Sequence, residues 1–320
     1  MVESLLTPTK TKVEQVANGE WIRGEVEAFI KEHCWSCDEF TVSEKPNKNG
    51  RYEVSVKGRV QFKGQLKSVA TDLFEWGTVD KFVSVRNGLE TLEGGPKIVN
   101  DLYMVCDADL TSLKGIAKKI GGSLYLDNMY KLTSLKGCPK KVNGNFSCKD
   151  CKELTSLEGC PTTVTGSFNC SHTGITSLKG CPKKIGGTFW CSDTNITSLE
   201  GSPAVGESFE CNNCYNLKSL VGAPKHIPED FRCRFSGLTT LKGAPEIVGG
   251  SFDAGRCKIK NLEGSPRKVG GYFSCGCRTL VSLVGAPESV GGFDCSDSGV
   301  EFDRNVINKY CKVENGQYTC

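Results

Sequence analysis

The stretch LTSLEGCPTTVTGSFNCSHTG, residues 154–174, is one copy of a phrase that recurs along most of this 320-residue chain. Aligned on its first apolar residue, the phrase restarts every 21 or 22 residues, at Leu89, Leu110, Leu132, Leu154, Ile175, Ile196, Leu217, Leu238, Ile259 and Leu280. A fixed period of this length is typical of a solenoid, in which a short coil buries its apolar side only against neighbouring coils. The sequence therefore predicts a single elongated stack of coils.

Each coil contains a short strand with one buried side. In residues 154–174, Phe168 and Cys170 alternate with polar residues, which is the period-2 pattern of a half-buried strand. Equivalent pairs are Phe146/Cys148, Phe189/Cys191, Phe209/Cys211, Phe231/Cys233, Phe273/Cys275 and Phe293/Cys295. We expect a mainly β fold of parallel stacked strands, with one internal column of phenylalanines and another of cysteines.

Read from the strand onward, the coil is Phe-x-Cys-x-x-(Thr/Cys/Ser)-x-Leu-x-x-Leu-x-x-x-Pro. This pattern resembles the leucine-rich repeat over residues 66–300, with Phe189 and Cys191 at the first two leucine positions. Thr194 stands at the position where the family carries asparagine or cysteine. The coils of this chain almost never carry asparagine at that position. The wording LxxLxGxPxxVGGxFxC is also similar to uncharacterised leucine-rich-repeat-like proteins encoded by tailed bacteriophages. The first resemblance implies a concave sheet that holds a protein partner, and the second implies a bacterial host protein as that partner.

The N-terminal part of the chain departs from the repeat and predicts a cap for the open end of the stack. Residues 20–34 place apolar side chains on one face of a helix. Residues 52–62 alternate around Lys57-Gly58 and predict a hairpin. A degenerate first coil follows, with apolar residues Leu66, Val69, Leu73, Trp76, Val79 and Phe82.

The C-terminal part also loses the repeat, near Val300. Asp303 is placed to cap a short helix, whose Val306, Ile307, Tyr310 and Cys311 are predicted to close the stack. The predicted organisation is an N-terminal capping segment at 1–65 with a disordered start at 1–12, a solenoid at 66–300 and a C-terminal cap at 301–320.

The chain contains 19 cysteines, most of them at the apolar positions of the repeat, so we expect reduced core thiols. Two pairs with zinc-like spacing, Cys148/Cys151 and Cys211/Cys214, are produced by the repeat itself and predict packing. The cluster His33-Cys34-x-x-Cys37 lies outside the repeat, and two interpretations stay open for it, a packed helix end or part of a metal site. We predict no bound metal and no cofactor.

Residues that lie between the buried strand positions are predicted to form a binding face. Unlike the core columns, these positions do not repeat their composition from coil to coil, which indicates a specific surface. The candidates are Tyr103, Tyr125, Asn169, Trp190, Glu210, Arg232, Arg234 and Asp253. Aromatic residues and arginine are enriched in binding hot spots. The alternative is that the aromatics serve strand propensity and that Glu210 and Asp253 simply pair with the two arginines.

Two further binding functions compete with protein binding. A row of basic residues follows the proline of most coils and could track a phosphate backbone, or could serve only as a solvated turn: Lys97, Lys118, Lys119, Lys140, Lys141, Lys183, Lys184, Lys225, Arg267 and Lys268. Against nucleic acid, the net charge is only +3. A carbohydrate-binding adhesin would stack sugars on Tyr103, Tyr125 and Trp190.

Catalysis and membrane insertion have little support in the sequence. The three histidines, His33, His172 and His226, belong to no recognisable catalytic motif. No stretch is apolar and long enough for a signal peptide or a membrane span. We therefore expect a non-enzymatic cytoplasmic protein, located in the host cytoplasm if a phage encodes it, whose oligomeric state the sequence does not determine.

Overall fold

The computed structural model describes residues 19–64, 66–71, 74–106 and 109–320. The predicted disordered start at 1–12 and Leu73 of the degenerate first coil lie outside the described residues. The elements are α1 (Gly19–His33), β1 (Cys34–Cys37), β2 (Phe40–Val42), β3 (Tyr52–Phe62), β4 (Phe74–Val85), β5 (Ile98–Val105), β6 (Lys119–Ile120), β7 (Leu124–Asp127), β8 (Lys141–Val142), β9 (Phe146–Ser147), β10 (Thr163–Val164), β11 (Phe168–Asn169), β12 (Phe189–Trp190), β13 (Phe209–Glu210), β14 (His226–Ile227), β15 (Phe231–Arg232), β16 (Ile247–Val248), β17 (Phe252–Asp253), β18 (Lys268–Ser274), β19 (Ser289–Asp294), α2 (Arg304–Tyr310) and β20 (Lys312–Thr319).

Two parallel sheets run along the stack, because most coils contribute two short strands. The first, which we call the phenylalanine sheet, pairs β7, β9, β11, β12, β13, β15 and β17 in that order. The second, the valine sheet, contains β6, β8, β10, β14 and β16. Towards the ends, the longer strands β5, β18, β19 and β20 contribute to both sheets. The prediction of a parallel-stacked, mainly β solenoid is confirmed.

The phenylalanines of the repeat form a continuous internal column. Phe168 pairs in register with Phe146 on one side and with Phe189 on the other. From Phe146 to Phe293 the neighbouring ring centroids lie 4.8 to 5.6 Å apart, and these phenylalanines are fully buried. Full burial of one such side chain contributes about 1.5–3 kcal/mol. Since each ring is covered by rings of the adjacent coils, a coil is stable only within the stack.

The Leu-x-Gly turn of each coil requires glycine for two reasons. From Gly94 to Gly285 the ten turn glycines have φ between 81° and 104°, a region that L-residues with a side chain rarely adopt. The Leu157 carbonyl accepts a hydrogen bond from the Cys160 N–H at 3.1 Å, which with positive φ at Gly159 is the pattern of a type II turn. The turns also stack closely, because a Cβ atom on Gly222 would lie 2.3 Å from the Glu200 nitrogen.

Thiols and hydroxyls occupy the turn position that follows the strand in most coils. Cys214 Sγ donates to the Cys191 carbonyl of the preceding coil at 3.4 Å, and Ser236 Oγ donates to the Cys211 carbonyl at 2.9 Å. The same kind of donor serves a strand-end carbonyl at Cys151, Thr173, Thr194, Cys257 and Cys277. A buried carbonyl needs a partner, and these donors supply it for the strand-end carbonyls.

The N-terminal end of the stack is covered by α1, as the sequence predicted. Ile22 and Val26 are buried, and the Phe29 ring packs edge-on against Phe74 with centroids 5.4 Å apart. The apolar face of α1 therefore lies on the first strands of the solenoid. Val69, with Trp76, Val79 and Phe82 of β4, is also buried, so this stretch contributes to the stack although its repeat is degenerate.

The predicted hairpin over 52–62 is wrong, because β3 is one continuous strand of 11 residues. It pairs in parallel with β4 on one side and antiparallel with β1 and β2 on the other. Gly58 has φ 108° and a Cβ there would meet Asp38, so Lys57-Gly58 marks a local irregularity within the strand and not a reversal. The parallel stack thus begins with β3 at Tyr52, and the antiparallel strands β1 and β2 form its N-terminal boundary.

The C-terminal end contains the predicted helix and an additional strand. Asp303 accepts a hydrogen bond from the Val306 N–H at 2.9 Å, and Ile307 is fully buried. Tyr310 is 46% exposed and does not close the stack as predicted, since β20 takes that place by pairing in parallel with β19. The last strand of the stack is therefore supplied by residues beyond the repeat.

One pair of cysteines contradicts the expectation of reduced thiols throughout. Cys295 at the end of the last repeat is disulfide-bonded to Cys320, with Cα atoms 4.7 Å apart. This separation is within the usual range for disulfides, so the spacing of adjacent strands does not by itself prevent a bond. The other 17 cysteines are free, and burial raises the pKa of the column thiols such as Cys191 well above its ordinary value.

Substituting alanine for the turn glycine Gly222 is expected to destabilise the protein more than the same change at Gly50. Both residues have positive φ, at 94° and 74°, but a Cβ at Gly50 meets nothing within 4 Å. Gly50→Ala therefore carries only backbone strain of about 1–2 kcal/mol. Gly222→Ala must also displace the neighbouring coil. Urea denaturation followed by circular dichroism measures both, and equal losses would contradict the close stacking of the turns.

Thiol labelling with a chromogenic disulfide reagent at pH 8 is expected to modify at most the four half-buried cysteines of the native protein. These are Cys37, Cys106, Cys138 and Cys181. Burial raises the pKa of Cys37 to about 11, so even this thiol should react slowly. In guanidinium chloride without reductant, 17 thiols should react. A count of 19 there would contradict the Cys295–Cys320 bond, and rapid labelling of more than four in the native state would contradict the buried columns.

Candidate protein-binding face

The predicted binding residues lie on the outer side of the phenylalanine sheet, which we call the strand face. One residue of each coil projects there between two buried neighbours, and the pairing register carries them in one continuous column. The column is Tyr103, Tyr125, Ser147, Asn169, Trp190, Glu210, Arg232, Asp253, Ser274 and Asp294. Arg234 lies in the adjacent column, two residues after Arg232. The structure thus brings all eight candidates onto one face, and their role in binding stays a prediction.

The two tyrosines at the N-terminal end of the column stack on each other. The ring centroids of Tyr103 and Tyr125 are 4.8 Å apart with planes inclined by 15°, and Lys81 Nζ lies 4.5 Å from the Tyr103 centroid. Asn145 Nδ2 donates to the Tyr125 hydroxyl at 3.2 Å. The faces of Tyr103 are therefore occupied by protein groups, and one face of Tyr125 is covered. Sugar binding by aromatic stacking needs an open ring face, and the stacking of this pair leaves at most one, on Tyr125.

Polar side chains next to the tyrosines are held by the protein itself. Asp127 accepts hydrogen bonds from Ser147 Oγ and from the Lys149 N–H, and burial raises the pKa of its carboxyl. Asn169 Oδ1 accepts the Ser171 N–H at 2.9 Å. The carbonyl side of Asn169 is therefore committed to its own strand, while its amide nitrogen donates no hydrogen bond within the described residues.

Trp190 is the large side chain at the centre of the strand face. It lies half-buried between Asn169 and Glu210 of the adjacent coils. Across the described part of the chain, no acceptor lies within hydrogen-bond distance of its indole N–H. A rigid aromatic group with an unused donor is the type of residue that anchors protein interfaces.

The arginines of the strand face are paired with carboxylates, as the alternative interpretation predicted. Arg232 donates to Glu210 at 2.9 Å and to Asp230 at 2.7 Å. Arg234 Nε lies 3.5 Å from Asp253, whose carboxyl has a pKa raised by burial and lowered in part by the Gly255 N–H and Arg234. Exposed ion pairs contribute about 0–1 kcal/mol to stability. Their main effect here is to hold the guanidinium groups in fixed positions on the strand face, with Glu210 between Arg232 and Trp190 in the column.

Next to the strand face runs a rim of residues in the left-handed backbone conformation, which the sequence analysis missed. Among the residues that the structure describes, ten that are not glycine have φ between 54° and 65°, at Arg86, Cys106, Asn128, Asp150, His172, Asp193, Asn213, Phe235, Arg256 and Asp297. Asparagine and aspartate tolerate this conformation, whereas an aromatic residue does so at a cost. Comparison of the coils would have revealed Phe235, because it is the one aromatic residue at a position that is polar in most coils.

Phe235 is 43% exposed and lies between two guanidinium groups. Its ring centroid is 5.4 Å from Arg234 Cζ and 5.7 Å from Arg256 Cζ, distances at which cation–π attraction operates. Arg256 is held in turn by Asp297 at 2.7 Å. The rim thus places a strained, exposed aromatic residue beside the arginine end of the strand face.

The residues considered for metal binding or catalysis are dispersed. In the ranges that the structure describes, no three histidine, cysteine, aspartate or glutamate side chains meet in a metal-binding arrangement. His33 packs on Phe29, and burial raises the pKa of the Cys34 thiol to about 12. His172 lies on the rim, 3.5 Å from Asp193. Among the helices of the described residues, none is long and apolar enough to cross a membrane.

Comparison with known proteins adds no relative from which a function could be transferred. No protein-family profile matches the chain, and no curated protein or solved structure matches it significantly.

Proposed function

We propose that this chain is a non-enzymatic binding protein that holds another protein on its strand face. The observation that supports this proposal most directly is Trp190, whose indole N–H has no acceptor in the described residues. Trp190 lies in an outward column whose residue types vary from coil to coil, whereas the buried columns keep the same residue types. The ion-paired arginines and Phe235 extend the same surface with residue types that are enriched in hot spots.

The charge of the strand face favours a partner with a mixed polar and apolar surface. Glu210, Arg232 and Asp253 alternate in sign along the column at spacings of about 4.8 Å, and each already takes part in an ion pair, so a partner must match a polar surface of fixed register. The guanidinium groups are already oriented by their carboxylates, which lowers the entropy lost on binding. Such a surface selects its partner by register as well as by shape.

The proposal that the partner is a bacterial host protein rests on resemblance alone. The coil pattern is similar to leucine-rich repeats and to leucine-rich-repeat-like proteins of tailed bacteriophages, so we take the partner to be a bacterial host protein with which the chain interferes. A cytoplasmic location fits this role, because many buried free thiols suit a reducing compartment.

The double substitution Trp190→Ala and Arg232→Ala is expected to abolish capture of this partner from bacterial lysate. Truncation of hot-spot residues typically costs at least about 2 kcal/mol, equivalent to a thirtyfold rise in Kd. Immobilised wild-type and variant chains are compared by quantitative mass spectrometry, and the captured protein is then purified and titrated by calorimetry.

Trp35→Ala is the matched control. Trp35 is 75% exposed on β1, seven strand pairings away from Trp190, so its loss removes an exposed tryptophan far from the two substituted residues. The control should capture the partner with an unchanged Kd. If the double variant keeps its circular dichroism spectrum and still binds the partner as tightly as the wild type, the strand face is not the binding site.

A further inference from the structure

One segment of the chain carries a strong positive charge that the overall balance conceals. Residues 110–190 contain twelve lysines, no arginine and four carboxylates, a net charge of +8. Since the whole chain carries +3, the remainder carries 3 minus 8, or −5. The positive charge of the chain is therefore concentrated in four consecutive coils.

Half of these lysines lie on the outer side of the valine sheet. Lys119 and Lys141 belong to β6 and β8, which are paired in register through Ile120 and Val142. Lys184 continues the row beyond Thr163, with Ile185 bridged to Val164. Lys119, Lys141 and Lys184 are each preceded in the sequence by a second exposed lysine. We call the resulting surface the lysine face: Lys118, Lys119, Lys140, Lys141, Lys183 and Lys184.

The lysine face differs from three basic residues elsewhere in the same row, which have counter-charges. Lys97 pairs with Glu75 at 2.8 Å, Lys225 with Glu246 at 2.7 Å and Arg267 with Glu288 at 3.1 Å. None of the six lysines of the lysine face lies within ion-pair distance of a carboxylate in the described residues. Like charges on adjacent strands destabilise a sheet, so the arrangement leaves a demand for an external anion.

We propose that the lysine face binds the phosphate backbone of double-stranded nucleic acid without reading its sequence. The six lysines span four coils, about 14 Å at the spacing of parallel strands, and a duplex presents about eight phosphate charges over that length. Lysine is a point charge that suits phosphate contacts. Between Lys118 and Lys184, a fully described stretch, the outer positions of the valine sheet are lysine or threonine. Single-strand binding relies on aromatic side chains for base stacking, so their absence here favours a duplex.

The lysine face is separate from the strand face, so this inference does not depend on the proposed protein-binding function. The two faces belong to different sheets, and the site of one can be altered while the other stays intact. A chain that holds a protein on one sheet and a duplex on the other would bring the two macromolecules together.

Fluorescence anisotropy with a labelled 20-base-pair duplex of arbitrary sequence tests the inference. Wild-type affinity should fall steeply as salt rises from 50 to 200 mM. The variant with Lys118, Lys119, Lys140 and Lys141 all changed to Gln should bind at least about tenfold more weakly. The slope of log K against log salt should become shallower by about 3 to 4, close to 0.9 for each lost phosphate contact.

The matched control removes the same charge elsewhere, by changing the exposed residues Lys45, Lys48, Lys258 and Lys260 to Gln. It should bind the duplex within about twofold of the wild type. Equal weakening of both variants, an unchanged lysine-face variant, or no wild-type binding at 50 mM salt would each overturn the inference. Phosphatidylserine vesicles are the second probe, because they also present phosphate. Binding to vesicles through the lysine face without binding to the duplex would assign this surface to membranes and overturn the proposal.

Discussion

The structure depends on in-register contact between successive coils of about 21 residues. A coil of this length has no interior of its own, since the side chains that it turns inward meet only equivalent side chains above and below. Phe168 illustrates the constraint, with Phe146 and Phe189 on its two sides. Backbone hydrogen bonds follow the same direction, as from the Cys170 N–H to the Trp190 carbonyl at 2.8 Å. Stability in such a stack is the sum of neighbouring interfaces, so the two ends need special treatment.

At both ends of the stack, elements from outside the repeat pair with the last strand or cover its apolar surface. At the N-terminal end, β3 is the first parallel strand, and the antiparallel strands β1 and β2 pair with its other edge. The helix α1 then covers the apolar surface. At the C-terminal end, β20 adds one strand from outside the repeat and is tied to the last coil by Cys295–Cys320. An uncovered edge would present unpaired backbone groups and invite further strands.

The stacking constraint also separates residues that must repeat from residues that are free to vary. Inward columns keep phenylalanine, cysteine and leucine because each contacts its own kind. The turn position after the strand accepts cysteine, serine or threonine, since any of these side chains can donate to a buried carbonyl. Outward columns have no such requirement. The strand face and the lysine face therefore carry different chemistry on one scaffold. On the strand face, an ion pair joins residues 22 positions apart in the sequence, Glu210 and Arg232.

Much of this organisation follows from the sequence alone, because a repeat specifies one local solution many times. The period, the buried Phe and Cys columns and the two capping helices were all predictable. The candidate column from Tyr103 to Asp253 could be named because strand alternation determines which residues face outward.

Other features were decided by tertiary contacts that have no local signature. Residues 52–62 alternate as a hairpin would, and only the presence of β4 and β1 on opposite edges makes them one strand. The Cys295–Cys320 bond depends on β20 returning to the stack, and the pairing of Arg232 with Glu210 depends on the register between coils. The sequence marks Phe235 as unusual for its position, but its place between two arginines depends on its backbone conformation and on the stacking of the coils. The sequence by itself thus determined what each coil buries, since burial follows from periodicity. Only the tertiary structure decided which exposed groups neutralise one another, since that depends on distances between coils.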